Sequence, residues 1–544
     1  MNQHASTCPR PTARDDVRRK LEDALRGCTQ SGRLVGADEA AARMQDTCVH
    51  TREGRPLVLA IRDSEEIAHA LAHARAAGAT VHPVSSGRNW GYGTARPGRG
   101  VADLILDLSQ MNRILSFDDD LGIVRVEPGV TQGQLAAFLA RKGARFMVPT
   151  TGAGPDCSLM GNALERGYGM TPISDHFQAV LGLAAITAEG RPYRSALQQG
   201  DAPGPYRWGV GPYLDGIFSQ SGGAVVTEMV LQLKPRPERV EMFVFWLSRD
   251  SGLGETVEAM RALCTRSGLE IGGINLMNAA RIEAMAGASA TRGCPWVGTG
   301  VVFGRRRVVR AGRGVIRQAL RGKVRALRFV NDDTLRLARR ATGLRPLARL
   351  IPAALHDMVS SVGAAHEVLS GHPNAFALQL AYAGSDRPFP KAGIGADPAQ
   401  DGCGLLWYAP IVPMRGDAAR TYVDFVTRTC ATHGFVPPIT FSTLSPSAFD
   451  STVPLLFPRD AENSARAMSC LRALIAQGRA LGFEPYRFHA DLMDEATSAA
   501  PDHWWLAERV RAALDPDRVI SPGRYAPPTD VFGLNADFIE GRSQ

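Results

Sequence analysis

Ser85-Ser86-Gly87-Arg88-Asn89-Trp90-Gly91-Tyr92-Gly93 follows directly on the short apolar run Val81-His82-Pro83-Val84. Glycines tolerate positive φ and leave neighbouring backbone N–H groups unshielded, so this loop can turn a row of donors toward a pyrophosphate. It is not a Rossmann fingerprint, because the glycine spacing differs and no helix follows at once. Taken alone, the loop reads equally well as a phosphate cradle and as a glycine-rich hairpin or Ω-loop with no ligand.

Working outward, residues 56–78 read as a short strand and then a helix with Ser64 as N-cap. Strands are expected at Val81–Val84, Leu104–Leu108 and Ile123–Glu127, and a helix from about Gln134 to Lys142. After a Gly-rich block over residues 151–170, strands resume at Leu181–Thr187 and Val225–Leu233. Lys234-Pro235-Arg236-Pro237 reads as a boundary. Beyond it, residues 238–480 mix long Ala/Leu/Arg helices with strands such as Leu405–Val412, and the first 50 residues look mostly helical. The fold class is α+β: an N-terminal domain, an intervening domain and a short C-terminal return.

A length of 544 residues suits two to four domains or two large ones. Apolar residues at 44% and charged residues at 21% exclude a disordered tail protein. The mean hydropathy of −0.11 argues against a polytopic membrane protein. The apolar run Ala179–Ala188 is far shorter than the roughly 20 residues of a spanning helix. The start has no apolar core of a secretory signal, and the nine cysteines form no C-x-x-C pair. Together these predict reduced thiols in a cytoplasmic protein. His366-Glu367 with His372 fails as a zinc-protease signature, since a spacing of six puts the two rings on opposite helix faces; no metal site is expected.

The net charge of +8 is concentrated in one segment. Between Arg305 and Arg349 stand fifteen Lys/Arg and two acids, a local balance of +13, so the rest of the chain is mildly acidic. Val308, Val309, Val315, Ile316, Leu320, Val324 and Leu327 recur there at near-helical spacing, which predicts an amphipathic surface helix with an Arg-rich solvent face. A single aromatic residue, Phe329, stands among the arginines, too few to stack bases, so no nucleic-acid partner is expected. Docking on an acidic protein or a membrane surface is the lesser reading.

The loop is one of an ordered set. Val126-Glu127-Pro128-Gly129-Val130, Gly161-Asn162-Ala163-Leu164-Glu165-Arg166-Gly167 and the stretch from Gly211 to Ser221 follow it. Near the end come Pro485-Tyr486-Arg487-Phe488-His489, Leu492-Met493-Asp494, Asp515-Pro516-Asp517 and Ile520-Ser521-Pro522-Gly523. Together they resemble the vanillyl-alcohol oxidase / 4-cresol dehydrogenase family, FAD-linked oxidases with a PCMH-type FAD-binding domain. The likeness runs over about residues 55–525 and is loosest across 238–440.

The resemblance implies a two-domain PCMH-type FAD-binding fold with an α+β cap domain. Its divisions would be a helical segment at 1–54, the FAD-binding domain at 55–237, the cap at 238–485 and the return at 486–544. It implies removal of a hydride from the benzylic position of a para-substituted phenol, through a p-quinone methide. Ser86, Gly87, Arg88, Asn89, Gly91, Gly93, Gly161, Asn162, Pro172 and Arg524 would bind FAD. Tyr92, Tyr486 and Arg487 fall at the positions of a phenolate clamp, and Asp175 at that of an acid beside the flavin. Phenols titrate near pH 10, so holding a phenolate at neutral pH takes about 4 kcal/mol of differential interaction. An arginine supplies permanent charge and tyrosine hydroxyls add directed donors. On the residues alone, a loop Tyr and a Tyr-Arg pair read as packing, and Asp175 as an Asx-turn or N-cap carboxylate.

Well-known members of that family attach FAD covalently through a His or Tyr of the cap. The corresponding stretch here, Thr443 to Phe457, holds neither, and Phe449 or Asp450 falls where the anchor would be. The expectation is FAD bound without a covalent link, with an ester to Asp450 a remote alternative. Losing the link lowers the flavin's potential and favours an activated or preoriented substrate. The partners expected are a small-molecule substrate and O2 or an electron-carrier protein as acceptor, with a homodimer as one admissible assembly. Two competing readings stand beside this one. The first is flavin-dependent oxidation of a hydroxyl or amine on a non-phenolic metabolite, with the Tyr/Arg cluster gripping a carboxylate. The second is a non-catalytic protein binding through the basic segment.

Overall fold

The structure is a computed structural model, and it describes residues 13–28, 33–50, 56–98, 102–343 and 353–527. Strands β1 (Leu34–Val35), β2 (Leu57–Ala60), β3 (Val81–Val84) and β4 (Leu104–Asp107) form one sheet in the order β1-β2-β4-β3. β4 runs parallel to both β2 and β3, and parallel neighbours need crossover connections, one of which contains the helix Ser64–Ala77. That helix is capped by Asp63, whose carboxylate accepts from Glu66 N; Ser64, the expected cap, is its first residue. The structure places a full negative charge at the positive helix end. Ile67, Leu71 and Ala74 pack with Leu57, Leu59 and Val81, and Leu21 and Leu25 of helix Ala13–Cys28 close the same core.

The next strands are β5 (Ile114–Asp118), β6 (Ile123–Val126), β7 (Phe146–Met147), β8 (Val180–Thr187), β9 (Pro192–Arg194), β10 (Ala224–Gln232) and β11 (Lys234–Pro235). Five of them form an antiparallel sheet in the order β5-β6-β10-β8-β9, and β11 pairs with β7, so the expected boundary run begins as a short strand. Helix Gln132–Arg141 starts two residues before its expected place, because Thr131 and Gln134 close a reciprocal capping box. The C-terminal return is bonded to the first sheet: Val81 N donates to Val519 O and Ser521 N to Val81 O, both at 2.7 Å.

The third sheet contains β12 (Arg239–Leu247), β13 (Glu270–Asn278), β14 (Trp296–Gly304), β15 (Ala326–Val330), β16 (Cys403–Tyr408), β17 (Ile411–Pro413), β18 (Thr440–Ser445) and β19 (Ala448–Pro458). Its order is β15-β12-β14-β13-β18-β19-β16, with β17 also on β19. Strand alternation gives it two faces. Phe243, Phe245, Phe441 and Phe449 point into a core with Tyr422, Phe425 and Leu471 of the covering helices. Met242, Val244, Trp246 and Met277 turn the other way, into a large cavity.

The basic segment is not one helix. Helix Arg306–Ala319 buries Val309, Gly312 and Ile316, then β15 joins the sheet edge and helix Asp332–Gly343 follows. Gly322, at φ +76°, lies between the first helix and β15. Residues 344–349 of the segment lie outside the described residues. Several of its arginines are turned to carboxylates and ring faces: Arg313 to Glu241 at 2.6 Å, Arg306 to Glu238 at 3.2 Å, and Arg313 and Arg317 over Phe329. The seven described cysteines are free, and the side chains of Cys8 and Cys28 lie outside the described residues. No described helix is long and apolar enough to cross a membrane.

Candidate active site

A cavity of about 1370 Å³ is enclosed by the Gly-rich loop, residues 150–170, the C-terminal return and the open face of the third sheet. The loop's glycines are required by what presses on it. Gly91, at φ +77°, has no room for a Cβ, which would lie 2.3 Å from Trp407. Gly93, at φ +107°, would meet the Cβ of Ala490 at 2.7 Å. The Tyr92 carbonyl accepts from Ala490 N at 3.0 Å, and Gly91 N donates to Thr47 Oγ1 at 3.0 Å. Among the described residues, the N–H groups of Ser86, Gly87, Arg88 and Asn89 donate to no protein acceptor.

Helix Leu159–Leu164 meets this loop. Ser158 Oγ accepts from Gly161 N, Ser86 Oγ accepts from Ser158 N, and a Cβ on Gly161 would lie 2.5 Å from Ser85 Oγ. A row of unspent donors beside this glycine contact, opening on a cavity of that size, fits the pyrophosphate of a dinucleotide such as FAD. Ser86, Gly87, Arg88, Asn89, Gly161, Asn162 and Arg524 line the cavity. Gly91 and Gly93 support the loop from behind, and Pro172 is not among the lining residues. Arg88 is ion-paired with Asp397, which also accepts from Trp90 Nε1 at 2.9 Å, and Asn162 contacts the His176 ring.

Tyr92, Tyr486 and Arg487, far apart in the chain, converge on the cavity. Arg487 Nη2 donates to Asn89 Oδ1 at 2.6 Å, and its guanidinium lies 4.3 Å from the Tyr92 ring centre. Gln220 Nε2 donates to the Tyr486 carbonyl at 2.9 Å and fixes the pair. Burial pushes both tyrosine hydroxyls up, so they stay protonated donors. Burial works against the Arg487 charge, but Tyr92, Tyr486 and Glu165 hold its pKa above the usual value. The nearest carboxylate, Glu165, is 3.9 Å from Arg487 Nε and is already bonded by Arg524 and Tyr525. Arg524 and Arg487 override its burial and hold Glu165 down at about 2.

Sequence reasoning missed a second pair. Tyr168 lines the cavity, its ring centre 6.3 Å from that of Tyr486, and its hydroxyl donates to Asp450 Oδ2. Asp450 is fully buried on β19, where Phe449 points to the opposite, core side. Burial pushes the Asp450 carboxyl up to about 7, against the bond from Tyr168 and the charges of Arg487 and Arg281. The signal available was Gly167-Tyr168-Gly169, an aromatic residue held between glycines in the already suspect block. Asp175 does not join this group. Its Oδ1 accepts from Phe177 N at 2.9 Å and from Gln178 N, the capping role, and it is not among the lining residues.

Asp46, His50 and His489 also come together, with ligand atoms within 4.8 Å of one another. His50 bonds Asp46 at 2.6 Å and Asp491 at 2.8 Å, and Arg96 stands 3.9 and 3.8 Å from the same carboxylates. That arrangement ties the N-terminal segment to the return by internal charge pairing.

Fold and site define an FAD-dependent oxidoreductase. Residues 56–195 match the FAD binding domain family. The chain is 30% identical over 520 residues to 1'-carboxy-chondrochloren decarboxylase of Chondromyces crocatus, covering 90% of this chain and 94% of that protein. It is 26% identical over 479 residues to the 4-cresol dehydrogenase [hydroxylating] flavoprotein subunit of Pseudomonas putida, covering 84% of each. Among solved structures, p-cresol methylhydroxylase with substrate bound superposes with a TM-score of 0.80 at 21% identity, over 96% of this chain and 98% of that one. The isoeugenol complex of 4-ethylphenol oxidase from Gulosibacter chungangensis gives 0.81 at 23%, over 96% and 99%. The chain belongs to the PCMH-type family of FAD-linked oxidoreductases.

Proposed function

We propose that the protein oxidises the benzylic position of a para-substituted phenol bound as its phenolate. The observation that supports this best is the convergence of Tyr92, Tyr486 and Arg487 on one cavity. Bound FAD supplies a two-electron, hydride-accepting oxidant. Ser86–Asn89 and Gly161–Asn162 would hold its phosphates. Arg487 offsets the phenolate charge while the two tyrosine hydroxyls orient the oxygen. Tyr168 and Asp450 form a proton relay, since a carboxyl titrating near neutrality can both give and take a proton. This assigns to Asp450 the acid role that the sequence suggested for Asp175.

FAD is held without a covalent link in this reading: Phe449 is spent on the core and the Asp450 carboxylate is engaged by Tyr168. The division into an FAD-binding part up to residue 237, a cap to 485 and a return belongs to the same proposal. So does reoxidation by O2 or an electron-carrier protein. Mixing FAD-loaded protein anaerobically with 4-alkylphenols should bleach the flavin, and acid precipitation should leave its colour in the supernatant. Bleaching by carboxylated non-phenolic alcohols, with phenols inert, would replace the phenol reading.

The similarity to a decarboxylase favours a second reading, in which oxidation ends in loss of CO2. The hydride leaves the benzylic carbon and the ring becomes a p-quinone methide. The C–COO⁻ bond on the adjacent carbon then breaks, and its electron pair forms a C=C bond as the ring oxygen returns to phenolate. CO2 release matched one-to-one with flavin reduction would establish it.

A further inference from the structure

Arg281 lines the cavity without a carboxylate partner among the described residues. It lies in helix Ala279–Ala286, capped by Asn278, whose side chain accepts from Arg281 N at 3.0 Å. Its Nε and Nη1 are closed off from solvent with no hydrogen-bond partner, and Nη2, which is not closed off, has no protein acceptor among the described residues either. The guanidinium carbon is 5.6 Å from the centre of the Trp407 ring, the ring that packs on Gly91 of the loop. No carboxylate of the described residues forms an ion pair with it. Burial draws its pKa down to about 10, against the opposing pull of Tyr168 and Asp450.

A charged fork of donors left unmet in an enclosed wall is strongly unfavourable unless something that binds there completes it. Two neighbouring polar groups are unmet as well. Asn275 Oδ1 and Thr440 Oγ1 are buried without partners, and both residues line the cavity. They sit on adjacent strands, where Asn275 faces Ser442 and Met277 faces Thr440. Met277, Ile282 and Met285 supply apolar wall beside Arg281, and the Tyr168–Asp450 pair stands within electrostatic reach. A single arginine beside apolar side chains suits a planar monoanion better than a dianionic phosphate, which draws several cations or a nest of N–H groups. Arg292 and Arg328, both exposed, border the same cavity and would draw an anionic ligand toward it.

We infer that Arg281 recognises a carboxylate carried on the para side chain of the phenolic substrate. The inference rests on the phenol reading of the clamp and adds a second anchor to it. The substrate is then held at both ends, its phenolate by Arg487 and its carboxylate by Arg281. Such two-point binding also supplies the preorientation that a non-covalently bound flavin calls for.

The test uses FAD-loaded protein and pairs of ligands that differ only in the carboxylate. 4-Hydroxyphenoxyacetate and 4-methoxyphenol lack a benzylic hydrogen and report binding through the flavin spectrum. ω-(4-Hydroxyphenyl)alkanoates and matching 4-alkylphenols report turnover. The wild-type protein should favour the carboxylated member by at least about tenfold in Kd and in kcat/KM. Arg281→Ala should bring that ratio close to one, mainly through KM, and Arg281→Lys should retain part of it, with FAD content confirming that each variant folds. Equal binding of both members by the wild type, or a preference that survives Arg281→Ala, overturns the inference while the phenol reading stands. If neither member of any pair binds, the phenol reading falls and takes the inference with it.

Discussion

The cavity has two walls of different origin. The Gly-rich wall, residues 85–94 with 158–170, is built from local loops whose glycines are dictated by positive φ or by close contacts. The cap wall draws Asn275, Arg281, Trp407, Thr440 and Ser442 from separate strands and a helix that meet only through long-range pairing. The first wall can vary little without losing its shape, whereas the second can exchange side chains on an intact sheet. The difference points to cofactor chemistry held by one wall and substrate choice by the other.

The largest effect expected is at the clamp. Arg487→Ala should slow flavin reduction by 4-alkylphenols at pH 7 by about a thousandfold, the equivalent of three pKa units of phenolate stabilisation. A loss confined to carboxylated phenols would instead move Arg487 into the carboxylate site. On the Gly-rich wall, Gly91→Ala drives a Cβ into Trp407 at a backbone angle that L residues avoid. It should cost about 1–3 kcal/mol in thermal or urea unfolding and lower FAD content. An unchanged FAD content would show that this wall is as plastic as the cap.

A smaller effect separates the two acids. The folded protein keeps the Asp450 proton up to about pH 7, whereas an unfolded chain releases it near pH 4. The native state therefore binds more protons across that window, and this group makes stability fall as pH rises through it, by at most about 1.4 kcal/mol per pH unit. Asp450→Asn should remove that slope from urea midpoints measured between pH 4 and 8, and with it the neutral limb of the rate profile. Smallest is Asp175→Ala, which should cost about 1 kcal/mol through the lost cap and leave the rate profile in place. A vanished limb would return the acid role to Asp175.

The same contrast explains what could be read from the sequence. The strands β3, β4 and β6 were legible because glycine turns and apolar runs are local signals, whereas the Tyr92, Tyr486 and Arg487 set comes only from the family resemblance and reads as packing on the residues alone. The capping roles of Asp63 and Asp175 were settled by which backbone N–H each carboxylate reaches, a matter of one or two residues. Arg281 reads in sequence as an ordinary arginine near a helix start, and Asp450 only as a remote flavin anchor, not as an acid. Their isolation from solvent exists only once β13, β18 and β19 lie side by side. The basic segment misled for the opposite reason: its apolar spacing continues through Gly322, where the chain leaves the helix and turns back as an edge strand.

On the phenol reading, the clamp holds a phenolate at neutral pH. Ultraviolet difference spectra of 4-methoxyphenol, which cannot be oxidised at a benzylic carbon, bound to the FAD-loaded protein read the ionisation state directly. The wild type should give a phenolate spectrum at pH 7, and Arg487→Ala the neutral phenol spectrum with weakened binding. Tight binding of neutral phenol by the wild type would contradict it.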